Sequence, residues 1–199
     1  MTLVTISATY GAGGSRIAPR LAERLGVPLL GRPPVPGLAE NDACEGGVRA
    51  GQGLLARAAS LAASWGTPPG MTVDDLLPDR ERRRELEEEV RAFAAGGGGV
   101  ILGRGAVVVL RDDPRALHVF LDGPADARVA QAMEIESIDE ATARRRLART
   151  DRFRRAYVED LYGVDVREPG VVHLTLDSTP SAVESSVRCT TPGSRTSTP

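Results

Sequence analysis

The sequence contains no lysine, and all 25 of its basic residues are arginines. No ammonium side chain is therefore available to any site, and a site that requires a fixed positive charge must take it from arginine. Cysteine is also scarce. Cys44 and Cys189 do not have the spacing of metal ligands, and we expect both to be free thiols.

Long apolar runs are missing as well. No stretch approaches the roughly 20 consecutive apolar residues that a membrane-spanning helix needs, and no signal-peptide pattern is visible. The net charge of −2 disfavours a general nucleic-acid-binding protein, whose surface is basic. We therefore expect a cytoplasmic protein that binds neither membranes nor nucleic acid, with one domain at 1–187 and a disordered tail at 188–199. The oligomeric state is left open.

Apolar runs of strand type alternate with amphipathic helical segments along the chain. The clearest helix is 79–95, where Leu86, Val90 and Phe93 share one face. This alternation predicts an α/β fold with a parallel sheet and helices on both faces. The expected strands are 3–6, 100–102, 118–121 and 171–176, with a short apolar run at 27–30, and the expected helices are 15–25, 54–65, 79–95, 106–110, 125–133, 140–162 and one that begins near Ser181.

Residues 8–18, ATYGAGGSRIA, join the first strand to the first helix. Glycines in such a loop let backbone N–H groups point at phosphate oxygens, and the helix that follows adds the positive end of its dipole. The full phosphate-binding pattern is G-x-x-x-x-G-K-[ST]. Ala8 takes the place of its first glycine, Gly13 of its second, Gly14 of its lysine and Ser15 of its magnesium-binding residue.

Compared with the full pattern, the loop keeps the backbone N–H groups and the hydroxyl of Ser15 but lacks the positive charge of the lysine. Arg16 follows directly and could reach back to a phosphate with its longer, forked side chain. The loop therefore predicts phosphate binding. The alternative is a glycine-rich turn that serves only to let a strand and a helix pack closely.

Further candidates follow other strands, at the edge of the sheet where ligands bind in such folds. Gly103-Arg104 follows the strand at 100–102, and Asp177-Ser178-Thr179 follows the last strand. The arginine-rich segment 144–155 is either a solvated helix face or a clamp on an anionic ligand. We expect His118 and His173 to be structural. We expect Asp122 to form a turn, with a metal ligand as the alternative, and Trp65 to pack, with base stacking as the alternative. Tyr157 is either a packing residue or a base-stacking residue.

Four segments occur in an order that resembles the cytidylate kinase-like family, a branch of the P-loop nucleoside-monophosphate kinases. They are the loop, the segment VILGRGAVVVLRDDPRALHVFLDGPADARVAQAM, the segment RTDRFRRAYVEDLYGVD and the last strand with its DST turn. The resemblance covers about 1–30 and 85–185 and is weak across 31–75. Loops of this family typically read YGSGG followed by a basic residue, so the missing lysine resembles a family trait.

The resemblance implies a five-stranded parallel sheet in a three-layer fold, an acceptor-binding insertion at 31–85 and a lid at 140–162. It also implies phosphoryl transfer from ATP to a nucleoside monophosphate or a similar small acceptor. Arg104 matches the arginine of the Gly-Arg-Asp motif with which cytidylate kinases proper grip the acceptor phosphate, but Gly105 stands at the position of the aspartate. Asp151 and Arg154 match the lid's Asp-x-x-Arg pair.

On this resemblance we assign roles to individual residues. Arg152 and Arg154 close over the transferring group, with Arg155 beside them, and Arg16 partly replaces the lysine. Ser15 helps to hold Mg²⁺, and main-chain atoms of 177–179 could contact an adenine. The ATP phosphates are held by Gly11, Ala12, Gly13, Gly14, Ser15 and Arg16. The alternative to a kinase is a nucleotide-binding regulatory module with little or no catalysis.

Overall fold

A computed structural model describes residues 2–31 and 80–179, together with Val187 and Thr190. Within these ranges five parallel strands form one sheet in the order β2-β3-β1-β4-β5. This confirms the α/β, three-layer fold that the sequence predicts. The strands are β1 at Leu3–Ala8, β2 at Leu29–Leu30, β3 at Gly99–Leu102, β4 at Ala116–Asp122 and β5 at Leu174–Asp177.

The described helices match the expected ones to within a few residues. The predicted lid at 140–162 is a single continuous helix, and among the described helices none is both long and apolar enough to cross a membrane. The predicted helices at 54–65 and near Ser181, and most of the predicted insertion at 31–85, lie outside the described residues. The helices are α1 at Gly14–Leu25, α2 at Arg80–Ala95, α3 at Ala106–Val109, α4 at Ala125–Glu136 and α5 at Glu140–Tyr162.

The central strand β1 is buried on both faces because helices cover each side of the sheet. Its alternating side chains divide between two cores. Val4 and Ile6 pack with Ile17 and Leu21 of α1, whereas Leu3 packs with α2 and α3 on the opposite face through residues such as Val90. Hydrophobic burial on both sides therefore holds β1 in the middle of the sheet, and the loop that follows β1 lies at the centre of its carboxyl edge.

Two boundaries differ from the prediction. The last strand begins at Leu174 rather than at residue 171, because the chain turns at Gly170 and the N–H of Val171 donates to the carbonyl of Glu168 at 3.2 Å. Thr190, which falls inside the predicted tail, is helical and fully buried.

The two histidines of the chain stack on each other where β4 approaches the segment before β5. Their ring centroids lie 5.0 Å apart, and the N–H of His118 donates to Nδ1 of His173 at 2.9 Å. His118 is 2% exposed, and its Nδ1 lies 2.7 Å from the hydroxyl of Thr5. Burial, and then the neighbouring His173, lowers the pKa of His118, while the backbone of Leu110 and the carboxylate of Asp113 act in the opposite direction. His118 is therefore a structural, neutral imidazole.

The lowered pKa of His118 predicts a loss of stability in mild acid. The unfolded chain takes up a proton near pH 6.5, whereas the folded protein resists it, so the stabilisation is complete above about pH 6.5 and declines as the pH falls below that value. In urea unfolding at pH 7.5, 6.5 and 5.5, we expect the free energy of unfolding of the wild type to fall more steeply than that of His118→Gln. Parallel slopes would show that His118 is not the titrating group.

Candidate functional site

The loop between β1 and α1 adopts two left-handed turns that require glycine. Gly11 has φ +75° and Gly13 has φ +69°. A Cβ on Gly11 would lie 2.2 Å from the carbonyl oxygen of Arg128, so α4 passes directly against the loop at this point. The first N–H groups of a helix have no partner within the helix. The loop therefore directs the open N-terminus of α1, at Gly14 and Ser15, towards the edge of the sheet.

Side chains from neighbouring strands hold the loop in this shape. The hydroxyl of Thr9 donates to Oδ1 of Asp122 at 2.8 Å, and the fully buried hydroxyl of Ser178 donates to the carbonyl of Ala12 at 2.8 Å. Asp122 and Ser178 thus support the loop from the ends of β4 and β5. Asp177 forms a local turn instead, because its Oδ1 accepts hydrogen bonds from the N–H and the hydroxyl of Thr179.

A small polar pocket opens at the loop. Of the residues predicted to bind phosphate, four line it directly, and Ala12 lies behind them with no exposed surface. The remaining walls come from α4 and α5. The lining residues are Thr9, Tyr10, Gly11, Gly13, Gly14, Ser15, Ala132, Ile135, Glu136 and Arg154.

The predicted arginines occupy different places around this pocket. Arg154 lines it, and Nη1 of Arg154 donates to the carbonyl of Ala8 at 3.0 Å. Arg16 does not line the pocket: its Nη1 lies 3.5 Å from Oε1 of Glu134 in α4, and 39% of its side chain is exposed. Arg152 is on an exposed part of α5. The structure therefore brings one of these three arginines, Arg154, to the loop.

An ion pair that the sequence analysis did not identify joins α5 to the loop. Asp151 accepts the N–H of Tyr10 at 2.7 Å and Nη1 of Arg128 at 2.6 Å. Arg128 also donates to the carbonyls of Tyr10 and Gly123, both at 2.9 Å. The side chains of Arg128 and Asp151 are only 8% and 15% exposed. The sequence contains one indication that Arg128 is buried. Arg128 and Ala132 are four residues apart and therefore lie on the same helical face, which is buried.

A carboxylate and a phenol form the inner wall of the pocket. Glu136, with 10% of its side chain exposed, pairs with Arg146. Burial, followed by the neighbouring Glu136, raises the pKa of Tyr10 well above its usual range. Tyr10 is therefore a neutral phenol at physiological pH, and the charge of Glu136 is balanced by Arg146.

Arg104 forms a second positive site after β3. Its φ is +60° and its side chain is 10% exposed. Nε donates to the carbonyl of Gly31 at 2.6 Å, while Nη1 forms an ion pair with Glu89. These two contacts orient the guanidinium beside the point where the predicted acceptor-binding insertion begins.

The ring of Tyr162 packs against Gly105, which stands at the position of the aspartate in a Gly-Arg-Asp motif. Gly105 has φ +66°, and a Cβ on it would lie 3.0 Å from Cε2 of Tyr162. An aspartate would therefore require both a strained backbone and a displaced ring. Arg83 stacks on the ring of Tyr162, with its Cζ 4.4 Å from the ring centroid. Burial raises the pKa values of Tyr157 and Tyr162, so both phenols are neutral.

Ser15 is the residue that best fits a magnesium ion. Its hydroxyl lies in the pocket at the N-terminus of α1, and Mg²⁺ is commonly held by few protein ligands together with substrate phosphates and water. Within the part of the chain that the structure describes, no three His, Cys, Asp or Glu side chains group together as metal ligands.

The strand order, the glycine loop and the helix that follows it define a protein with the fold of the P-loop kinases. The chain belongs to the cytidylate kinase-like family, whose model matches residues 3–180. This confirms the resemblance inferred from the sequence. No curated protein matches the chain.

Two solved structures share this fold. An uncharacterized protein from Eubacterium ventriosum is 19% identical, with a TM-score of 0.67 and 95% of each chain covered. A gluconokinase from Sinorhizobium meliloti 1021 is 15% identical, with a TM-score of 0.54, and the match covers 94% of this chain and 87% of that one. At these identities the likeness establishes the fold.

Because the Arg128–Asp151 ion pair is buried, we expect the loss of Arg128 to lower the free energy of unfolding much more than the loss of an exposed arginine. Arg128→Met leaves Asp151 buried without its cation and should lower the free energy of unfolding by about 3–5 kcal/mol. The matched control is Arg144→Met, because Arg144 is 51% exposed in its pairs with Asp126 and Glu140. The control should lose at most about 1 kcal/mol. Urea unfolding measures both, and equal losses would show that the Arg128 pair adds no more than a surface pair.

Proposed function

We propose that the protein is an ATP-dependent phosphotransferase of the nucleoside-monophosphate kinase type, which transfers the γ-phosphoryl group to a nucleotide or a similar small acceptor. The observation that carries this proposal is the loop itself, where two left-handed glycines open the N-terminus of α1 next to the guanidinium of Arg154. Membership of the cytidylate kinase-like family supports the same reaction class.

The donor phosphates bind to backbone N–H groups. Gly11, Gly13, Gly14 and Ser15 line the pocket, and the N-terminus of α1 contributes the positive end of its dipole. Such donors are already oriented before the ligand arrives, because Thr9 and Ser178 hold the loop from outside. Binding therefore requires little rearrangement of the loop.

Magnesium and ATP fit the residues present. Ser15 would hold the ion, which supplies charge neutralisation on the phosphates when it is bound. Arg104 orients the acceptor through its phosphate, as a bidentate guanidinium can. Arg154 and Arg152 stabilise the charge on the transferring group from α5, and Arg16 is a further candidate for the distal phosphates. The chain's own contribution is thus positioning and charge, with no covalent intermediate on the protein.

A second candidate function is supported by Gly105. The aspartate that cytidylate kinases proper carry near the site is absent, and the ring of Tyr162 packs on Gly105 at that position. A protein that binds nucleotide through backbone donors but lacks charges that act in the transition state would bind without useful turnover. It would then serve as a nucleotide-binding regulatory module. We favour the kinase because Arg154 lies in the pocket and Arg104 is held in a defined orientation.

Calorimetric titration with ATP and Mg²⁺, followed by a phosphoryl-transfer screen in the same preparation, separates these functions. The acceptor panel is CMP, dCMP, UMP, AMP and GMP, with gluconate as a non-nucleotide acceptor. Binding with turnover of an acceptor supports the kinase and names its substrate. Binding without turnover across the panel supports the regulatory module, and the absence of binding contradicts both.

Arg104→Gln is expected to affect the acceptor and not the donor. Loss of a charge-assisted contact to the acceptor phosphate should raise the acceptor KM by about 10- to 100-fold, with the affinity for ATP within about threefold. The matched control is Arg91→Gln, because Arg91 is an exposed arginine of α2 that pairs with Glu87; it should leave both constants unchanged. Equal weakening of ATP and acceptor by Arg104→Gln would contradict the assignment.

A further inference from the structure

We propose that Glu136, the last residue of α4, is a magnesium ligand of the loop pocket and completes a metal site with Ser15. This inference rests on the proposed function, because the cation would enter the pocket together with the phosphates of the nucleotide. The sequence predicted Ser15 as the metal-binding residue and gave no role to Glu136. No residue of the phosphate-binding pattern corresponds to this carboxylate.

Glu136 and Ser15 reach the same pocket from two different helices. Ser15 is the second residue of α1, Glu136 ends α4, and both line the pocket. Helix α4 packs closely on the loop, since a Cβ on Gly13 would lie only 2.5 Å from Nε2 of Gln131. The packing of α4 therefore brings a carboxylate into the same pocket as the hydroxyl at the start of α1.

A carboxylate is an unexpected group in a pocket that otherwise suits an anion. The N-terminus of α1 and the guanidinium of Arg154 attract phosphate, whereas the negative charge of Glu136 repels it. The repulsion is removed when a divalent cation binds to the carboxylate and to the phosphates at the same time. Mg²⁺ is usually bound in this way, through one or two carboxylates together with substrate phosphates. The carboxylate therefore suits the pocket to a complex of metal and nucleotide rather than to the free nucleotide.

Arg146 holds the carboxylate in place. Its Nη1 forms an ion pair with Oε2 of Glu136, and the two side chains are 30% and 10% exposed, respectively. The pair offsets the cost of burying the charge of Glu136 and restricts the rotation of the carboxylate. Hydrogen-bond partners of this kind orient the carboxylates that bind metals. Arg146 is thus a positioning residue for Glu136.

The hydroxyl of Tyr10 supports the same assignment. Tyr10 lines the pocket and is 4% exposed. Its hydroxyl lies near Glu136, yet within the described ranges 2–31 and 80–179 it makes no hydrogen bond. A buried polar group without a partner is costly. Because Mg²⁺ usually keeps several water ligands, a hydrated cation beside Glu136 would supply the partner that this phenol needs.

The test compares ATP binding by the wild type and by Glu136→Gln in calorimetric titrations, once with excess Mg²⁺ and once with EDTA. Mg²⁺ should strengthen the binding of ATP to the wild type. In Glu136→Gln this effect of Mg²⁺ should be smaller by about tenfold or more, because even the loss of an indirect partner of a metal lowers its affinity by about 10- to 100-fold. In EDTA the variant should bind ATP about threefold more tightly than the wild type, since the repulsion is gone.

Glu140→Gln is the matched control for this substitution. Glu140 also pairs with an arginine, Arg144, but 60% of its side chain is exposed, and its loss should leave both ATP affinities unchanged. Thermal unfolding without ligand checks that each variant folds. If Glu136→Gln does not fold, Glu136→Asp replaces it, and its shorter side chain should retain only part of the effect of Mg²⁺. Titration of Mn²⁺ into the ATP-bound proteins, followed by electron paramagnetic resonance, should show weaker metal binding in the Glu136 variant than in the wild type.

The outcomes separate the two proposals. A selective loss of the effect of Mg²⁺ in Glu136→Gln, with ATP binding retained or strengthened in EDTA, supports the inference. Equal weakening of ATP in Mg²⁺ and in EDTA would show that Glu136 only supports the fold, and it overturns the inference while the proposed function stands. An effect of Mg²⁺ that is the same in Glu136→Gln, in Glu140→Gln and in the wild type overturns the inference in the same way. No binding of ATP by the wild type under either condition overturns the proposed function, and the inference with it.

Discussion

The carboxylate of Asp151 accepts hydrogen bonds from the backbone of Tyr10 and from the side chain of Arg128, and the geometry of the candidate site depends on this pair of contacts. They connect three elements that are far apart in the chain: the loop after β1, helix α4 and helix α5. The side chains of Arg128 and Asp151 are mostly buried, and this ion pair is stable because each charged group has more than one hydrogen-bond partner. These contacts hold α5 against the loop one helical turn before Arg154, which itself donates to the carbonyl of Ala8.

The site lacks two charges: the lysine of the general phosphate-binding pattern and the aspartate of the Gly-Arg-Asp motif. The lysine position is Gly14, and the aspartate position after Arg104 is Gly105. Two side chains lie near these positions: Arg154 lines the loop pocket together with Gly14, and the ring of Tyr162 packs on Gly105. Both side chains come from α5. This helix therefore contacts both the loop after β1 and the turn after β3.

The fold and the loop could be predicted because local patterns encode them. Alternating strands and helices indicated the parallel sheet, and the glycines at 11 and 13 indicated the tight turns that the structure contains. Roles that depend on long-range contacts could not be predicted in this way. Arg16 is next to the loop in sequence yet turns towards Glu134, whereas Arg154 is 146 residues from Ala8 and reaches it. Little in the sequence indicates the role of Arg128, because the residues next to it in the chain do not show that Asp151 will lie beside it.

The sequence by itself determined the sheet, the helices that cover it and the glycine loop, since apolar periodicity and turn residues act over a few positions at a time. The resemblance to the cytidylate kinase-like family was carried by the order of four motifs in the sequence. It also determined that every strong side-chain cation in the site would be an arginine. Only the tertiary structure decided which arginine lies at the loop and which carboxylate holds the loop to α5. Those choices follow from the packing of α4 and α5 against the edge of the sheet, where burial requires each charge to find a partner from a distant part of the chain.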